Sequence, residues 1–304
     1  MAASPWVSVV IPTRNRAEWI ARTLDSVLAQ SHRPLQIVVV DNGSTDQTLA
    51  RVARWAQQLP PDVECLVLSE LQPGASRARN RGWQAARGEW IAHFDDDDEM
   101  SPDFIERMLH TAACHPDARW VLARARMVMP DGCERVRRGW ACPSLAAHIL
   151  GSFVSTQSFV VQRSLLAELG GWDESLPVWN DYELGMRLLL HSAPAWDDGI
   201  YHRIYQHGAR LTSTPAADKL PAMARALARM ADHLRAAHAP ATAHRALYLR
   251  AQIESGRWQN AQLELTDALY SSPPFPLRLL GRFLRQYVAL GGRGAWQIAL
   301  TFCR

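Results

Sequence analysis

Four short polar clusters carry the residue types that chemistry needs. The first is the acidic run Asp95-Asp96-Asp97-Asp98-Glu99, reached directly from the apolar stretch Trp90–Phe94. Hard divalent cations take oxygen ligands, and Mg2+ is often held by one or two carboxylates together with substrate phosphates. Asp95 and Asp97, one residue apart, can both turn toward a cleft where a strand ends. The same acids also suit the positive end of a helix beginning near Pro102. A calcium loop of the EF-hand kind is disfavoured, because no glycine stands at the required place. The second cluster, "VVVDNGSTD", puts Asp41 at the end of a β-branched run. There its carboxylate can accept from a ribose hydroxyl or a base N–H, or close a turn before the next helix. The third, "GASRARNRGW", holds Arg77, Arg79 and Arg81 within about one and a half helical turns. They can serve a diphosphate or form a solvated helix face. The fourth, "WNDYELGMRL", sets Asp181 at a helix start, as a general base or as an N-cap.

The elements that must position these clusters alternate. "VSVVIP" and "QIVVV" read as buried parallel strands, and Val63–Leu68 and Glu89–Phe94 follow as two more. Helical spacing separates them, over Arg16–Gln30, from Thr48 and over Ser76–Ala86. Strands alternating with helices imply an α/β fold with a mostly parallel, Rossmann-like sheet flanked by helices. Ligands of such sheets bind at the carboxyl ends of the strands. The Thr13–Arg16 segment, Asp41–Ser44 and Asp95–Glu99 therefore converge on one edge. Further strands are expected at Trp120–Met129, Ser155–Gln162 and Ile200–Tyr205, with a helix over Asp181–His191. From Ala216 glycine and strand signals fade, so a boundary near residue 214 separates domain 1–214 from a helical region, 215–304.

Bulk properties narrow the functional classes. The chain of 304 residues carries a net charge of +3, too small to argue for nucleic acid. Its five cysteines show no metal-ligand spacing and read as thiols of a reducing compartment. "MAASPWVSVVIPTR" has neither a basic start nor a long apolar stretch, so no leader is expected. No window reaches the roughly 18 apolar residues of a membrane span, and a cytoplasmic protein is expected. The G-x-G-x-x-G and P-loop patterns are missing.

Together the segments "VSVVIPTRNR", "IVVVDNGSTDQT", "GASRARNRGWQAARGEWIAHFDDDDEMSPDFIE" and "LGGWDESLPVWNDYELGMRLLL" resemble glycosyltransferase family 2, whose fold is GT-A. They occur in family order and span roughly residues 6 to 210. The resemblance implies an inverting transfer of a sugar from a nucleotide-diphosphate donor, a UDP-sugar by preference, to a glycan or lipid-linked acceptor in cell-surface polysaccharide or lipopolysaccharide assembly. It implies Mn2+ or Mg2+ as cofactor. By the same resemblance Pro12, Thr13, Arg14 and Asp41 match nucleotide-binding positions, as do Arg79, Asn80, Asp95 and Asp96. Asp97 matches the metal-holding aspartate, His207 a histidine near the diphosphate or metal, and Asp181 the catalytic base. Asn180 stands where the family usually has Glu. Two rivals share the fold: a non-catalytic nucleotide-sugar or glycan-binding protein, and a nucleotidyltransferase. The second would want a glycine-rich loop after the first strand, and "PTRNRAEW" has no glycine.

The last ninety residues are read separately. Residues 245–274 resemble one tetratricopeptide-type hairpin, with Gly256, Trp258, Ala261, Leu265, Ala268 and Pro273 at that repeat's spacing. Residues 276–304 interleave apolar residues with Arg278, Arg282, Arg285 and Arg293, without an acid. Such a segment can pack on the protein or lie on an anionic membrane surface.

Overall fold

The structure, a computed structural model, describes residues 4–136, 144–207, 216–258 and 273–303. Its elements run β1 (Val7–Thr13), α1 (Ile20–Leu28), β2 (Leu35–Asp41), α2 (Thr48–Ala56), β3 (Val63–Ser69), α3 (Ala75–Ala85), β4 (Trp90–His93), β5 (Glu99–Met100), α4 (Phe104–Cys114), β6 (Trp120–Val128) and β7 (Glu134–Val136). They continue with α5 (Leu145–Gly151), a 3-10 turn (Thr156–Ser158), β8 (Phe159–Gln162), α6 (Arg163–Glu168), α7 (Asn180–His191) and β9 (Ala195–Tyr205). The last described are α8 (Ala216–Ala236), α9 (Ala241–Arg257), α10 (Phe275–Ala289) and α11 (Ala295–Thr301). The second half of the tetratricopeptide-like hairpin falls on 259–272, outside the described residues.

The chain groups into two compact units. The first comprises Met1–Cys142, Val154–Pro177 and Ser192–Gly208 and contains the whole sheet, in the order β3-β2-β1-β4-β8-β6-β9-β5, with β7 on β6. β1 and β2 are buried along their full length, as their β-branched runs require of strands covered on both faces. Pairing is parallel from β3 through β4, as the alternation of elements predicts. Beyond β4 the sheet is mixed: β8 is antiparallel to both β4 and β6, and β9 is again parallel to β6. Two reversals restore the direction, so β1, β2, β4 and β9 all end at the same edge. On one face Val9, Ile11, Ile37, Val39, Phe94, Phe104 and Met108 form the core. On the other face α3 lies so close that a Cβ at Gly82 would come within 2.3 Å of Val10 Cγ1 and 3.0 Å of Val40 Cγ2.

The second unit comprises Pro143–Phe153, Val178–His191 and Ala209–Arg304. The division read from sequence at residue 214 assigned 143–153 and 178–191 to the first domain. The chain instead gathers them with the C-terminal helices, because α5 packs on α7, α9 and α11 and α7 packs on α8. α9 is buried nearly all round its circumference. It meets α10 at two glycines: a Cβ at Gly256 would lie 2.3 Å from the carbonyl oxygen of Arg285, and one at Gly281 would lie 2.9 Å from the Tyr248 ring. Among the described residues no helix is long and apolar enough to cross a membrane.

Candidate active site

Five adjacent carboxylates can coexist only if each has its own compensation, and the first unit supplies it residue by residue. Asp95 accepts from Arg79 Nη2 at 2.8 Å and from Gln157 Nε2 at 2.6 Å. Asp96 pairs with Arg16 Nε at 3.3 Å. Asp97 contacts His207 Nε2 at 2.9 Å. Asp98 is fully buried, accepting from Gln157 Nε2 at 2.5 Å and from the Tyr205 amide at 2.9 Å. Glu99, in β5 opposite Arg203, accepts from the Tyr205 hydroxyl at 2.6 Å and lies 3.4 Å from Arg22 Nε. Main-chain carbonyls of the run are held as well, that of Asp97 by Arg22 Nη2 at 2.6 Å and that of Asp98 by the Thr23 hydroxyl at 2.8 Å. The run is therefore a fixed loop leading into β5 and not a helix entry.

Asp96 has the least favourable setting of the five. Burial pushes its carboxyl up to about 7. The neighbouring Asp97 and Asp95 charges add to the rise, while the Thr13 hydroxyl and Arg16 oppose it. Desolvation disfavours the charged form, and a partly offset buried carboxylate titrates near neutrality.

The residues expected on the nucleotide side lie at and just beyond the ends of β1 and β2. Pro12 and Thr13 are the last residues of β1, with Thr13 directly opposite Asp41 in the parallel register. Asp41 is buried, and its two carboxylate oxygens lie 3.3 and 3.2 Å from the Ser44 amide, the turn role open to it from sequence. Arg14 is exposed in the turn that follows. That turn bends at Asn15 (φ 53°), which accepts from the Thr45 amide at 2.8 Å and donates its own amide to Ser44 Oγ at 2.9 Å. The two strand-end loops are thereby tied together.

α3 contributes Arg79 and Asn80, both buried. The Asn80 amide is committed to structure. It donates to the Trp172 carbonyl and to Glu174, each at 2.9 Å, and accepts from Trp83 Nε1 at 3.0 Å and the Trp172 amide at 2.9 Å. This staple requires Gly171 (φ +72°), where a Cβ would fall 2.5 Å from Asn80 Oδ1. Trp172, so held, lies 4.5 Å beneath the Arg79 guanidinium. Arg79 donates to Asp95 through Nη2; among the described residues its Nε and Nη1 are buried without a hydrogen-bond partner. Unpaired buried donors of a charged group are costly, and an anionic group reaching them would remove that cost.

Asp181 belongs to the second unit, in the first turn of α7. It accepts from the Tyr182 amide at 2.8 Å, and its own amide donates to Asn180 Oδ1 at 2.8 Å. The turn is fixed from below. Trp179, in the left-handed region at φ 61°, lies edge-on to Tyr182. Arg250 of α9 sits 5.3 Å from the Trp179 ring and 5.1 Å from the Tyr182 ring. Arg250 also donates to the Leu150 carbonyl at 2.6 Å and pairs with Glu254 at 3.0 Å. Farther along α7, the buried Glu183 is held by Arg187 at 2.6 Å and His233 at 3.0 Å.

Among the described residues no group of three or more His, Cys, Asp or Glu side chains is arranged to hold a metal. The Asp97–His207 pair nevertheless fits a divalent cation of the Mg2+ or Mn2+ kind, which takes few protein ligands and completes its shell with phosphate and water oxygens. His207 stacks on Trp19 at 4.9 Å, and Trp19 in turn lies 5.2 Å from the Arg16 guanidinium. Sequence reasoning placed Arg16 on the ligand edge only as the end of the Thr13–Arg16 segment, and it did not single out Trp19, Gln157 or Tyr205 as site residues. For Gln157 a signal existed: "STQS" is a polar run between two apolar ones, and all four residues are buried.

The comparisons agree with this architecture. The family described as Glycosyl transferase family 2 matches residues 8–143. The amylovoran biosynthesis glycosyltransferase AmsB of Erwinia amylovora is 30% identical over 220 residues, 67% of this chain and 71% of AmsB. Other relatives, such as the succinoglycan biosynthesis protein ExoO of Rhizobium meliloti, align over shorter spans: 108 residues at 40% identity, 36% of this chain and 30% of ExoO. The crystal structure of S. aureus TarS 1-349 in complex with UDP superimposes with a TM-score of 0.69 at 17% identity, covering 96% of this chain and 89% of that one. The mannosyltransferase PcManGT from Pyrobaculum calidifontis, in complex with GDP-Man and Mn2+, gives 0.56 at 20% identity over 99% and 84%. The fold is of the GT-A type, and the chain belongs to glycosyltransferase family 2.

Proposed function

We propose that this protein transfers a sugar from a nucleoside-diphosphate donor, a UDP-sugar by preference, to a hydroxyl of a glycan or lipid-linked acceptor, with inversion at the anomeric carbon. The observation that carries the reading is the Arg79 guanidinium, buried over Trp172 with two unpartnered nitrogens. It stands on the same strand-end edge as Thr13, Asp41 and the Asp97–His207 pair. A diphosphate would supply acceptors for the two Arg79 nitrogens that Asp95 leaves unpaired. Thr13 and Asp41 would receive the nucleoside, and Asp95 holds Arg79 in place. Asp97 and His207 would hold Mn2+ or Mg2+, which when bound offsets negative charge developing on the departing diphosphate.

Asp181 is assigned the general base by its match to the family's motif. It takes the proton from the acceptor hydroxyl. The freed oxygen pair attacks the anomeric carbon opposite the leaving group. The bond from that carbon to the diphosphate oxygen breaks, its electron pair leaves with the nucleoside diphosphate, and one displacement inverts the centre. Support for UDP as the base-bearing half comes from TarS, crystallised with UDP and with UDP-GlcNAc. PcManGT with GDP-Man keeps guanosine donors in the test. AmsB and ExoO, named for amylovoran and succinoglycan biosynthesis, support a setting in polysaccharide assembly.

The test is nucleoside diphosphate release from a panel of UDP-, GDP- and dTDP-sugars, with and without Mn2+. One donor should turn over only with metal, and Asp181→Asn should lower kcat by roughly 10²–10⁴ while donor affinity is kept. Donor binding without turnover, unchanged in Asp181→Asn and with acceptor glycans present, would instead identify a binding protein on this fold.

A further inference from the structure

The C-terminal region holds a surface that the transfer reaction does not use. α10 carries three stripes. Gly281 and Leu284 are buried on the side toward α9. The opposite side presents Phe275, Leu279 and Phe283 in steps of four residues, with exposures of 68%, 60% and 53%. Leu290, just past the helix, is 90% exposed. Residues four apart lie on one helix face, so these side chains form a continuous apolar row. Single exposed hydrophobes are ordinary, whereas a contiguous row of large ones marks a binding surface.

The third stripe is cationic. Arg278 and Arg282, also four apart and exposed, run beside the apolar row, and Arg293 is exposed beyond it. The sequence from residue 273 to 303 contains no Asp or Glu. Among the described residues none of these three arginines is paired with a carboxylate. A folded surface that sets guanidinium groups beside phenyl rings, with no acid to neutralise them, complements an anionic layer with an apolar interior. Arginine stems lie along apolar surface while the heads reach phosphate, and helices with this division lie in the plane of a bilayer.

We infer that α10 docks the protein on an anionic lipid surface through Phe275, Leu279 and Phe283, with Arg278, Arg282 and Arg293 meeting lipid phosphates. The inference stands apart from the proposed chemistry, because none of these residues belongs to the acid cluster or to the Asp181 turn.

Flotation of the full chain with phosphatidylcholine vesicles, with and without about one third phosphatidylglycerol, tests it. The wild type should float with the anionic vesicles only and be released at high salt, where surface charges are screened. Removing two arginines in Arg278→Gln/Arg282→Gln should cut the partition coefficient roughly 30-fold, at about 1 kcal/mol per basic residue. Leu279→Ser/Phe283→Ser should cut it roughly tenfold or more. Both pairs are exposed, so the circular dichroism spectrum and melting temperature should stay at wild-type values. No flotation of the wild type, or flotation indifferent to lipid charge or to both pairs of substitutions, would overturn the inference. Self-association of the wild type in gel filtration, abolished by Leu279→Ser/Phe283→Ser, would overturn it in favour of a second copy of the chain as occupant.

Discussion

Relative to wild type, replacing Asp96 by asparagine should favour folding increasingly as the pH rises from about 4 to about 7. Asp96 is buried between Asp95 and Asp97, and its carboxyl is pushed from an ordinary 3.8 up to about 7, first by burial and then by its neighbours' charges. A folded-state pKa above the unfolded one means that the folded protein holds its proton longer. Below the unfolded value the group is neutral to stability. As the pH rises from 3.8 toward 7 the unfolded state ionises freely and the folded state does not, so the group costs stability, up to about 4 kcal/mol above pH 7. Asparagine keeps the shape and removes the titration. The Arg16 ion pair at 3.3 Å is lost as well, but its effect on titration is already contained in the Asp96 shift, so the pH dependence of the gap follows from the folded and unfolded values alone. The stability gap between Asp96→Asn and wild type should therefore widen by about 3 kcal/mol between pH 5 and pH 8, two pH units of titration at about 1.36 kcal/mol each. Denaturant unfolding at the two pH values reads this directly. A gap that stays constant, or that narrows as pH rises, would refute the account of how the acid cluster is compensated.

Two other variants probe how the site is held. Gln157→Leu removes the amide that donates to both Asp95 and Asp98, so the donor should bind roughly tenfold more weakly with the fold intact, as equilibrium binding of UDP will show. Arg250→Leu takes a cation from Trp179 and Tyr182 and a donor from the Leu150 carbonyl. It should cost about 2–4 kcal/mol in denaturant unfolding and lower kcat more than donor affinity, because the loosened turn is the one bearing Asp181.

The first four strands were legible because β-branched runs such as "VSVVIP" and "QIVVV" have one stable use, a strand buried on both faces. Once those were placed, Thr13, Asp41 and Asp95–Asp97 followed as strand-end residues, since a parallel sheet puts every such end on one edge. Their partners were not legible. Arg16 reaches Asp96 across eighty positions and Gln157 reaches Asp95 across sixty-two, and no local period encodes such a pairing. The two-residue strand β5 is too short to show a period of its own; its pairing with β9 supplies the order. The assignment of 143–153 and 178–191 to the second unit was hidden for a related reason. α7 is buried without a break from Tyr182 to Leu188, and the helices that cover it, α5 and α8, lie far from it in the chain, so its own sequence does not say which unit it joins. Arg79 and Asn80 looked alike in sequence. The structure separates them, one with nitrogens to spare and the other with its amide fully engaged.

The central claim is that the edge formed by β1, β2 and β4 binds a nucleoside diphosphate together with a divalent cation held by Asp97 and His207. Calorimetric titration of UDP and GDP into the wild type and Asp97→Asn, with and without Mn2+, tests it most directly. One nucleotide should bind the wild type, and Mn2+ should tighten this binding at least about tenfold, an enhancement lost in Asp97→Asn because the carboxylate proposed to hold the metal is gone. Binding of equal strength with and without Mn2+, or an Mn2+ enhancement that survives in Asp97→Asn, would contradict it.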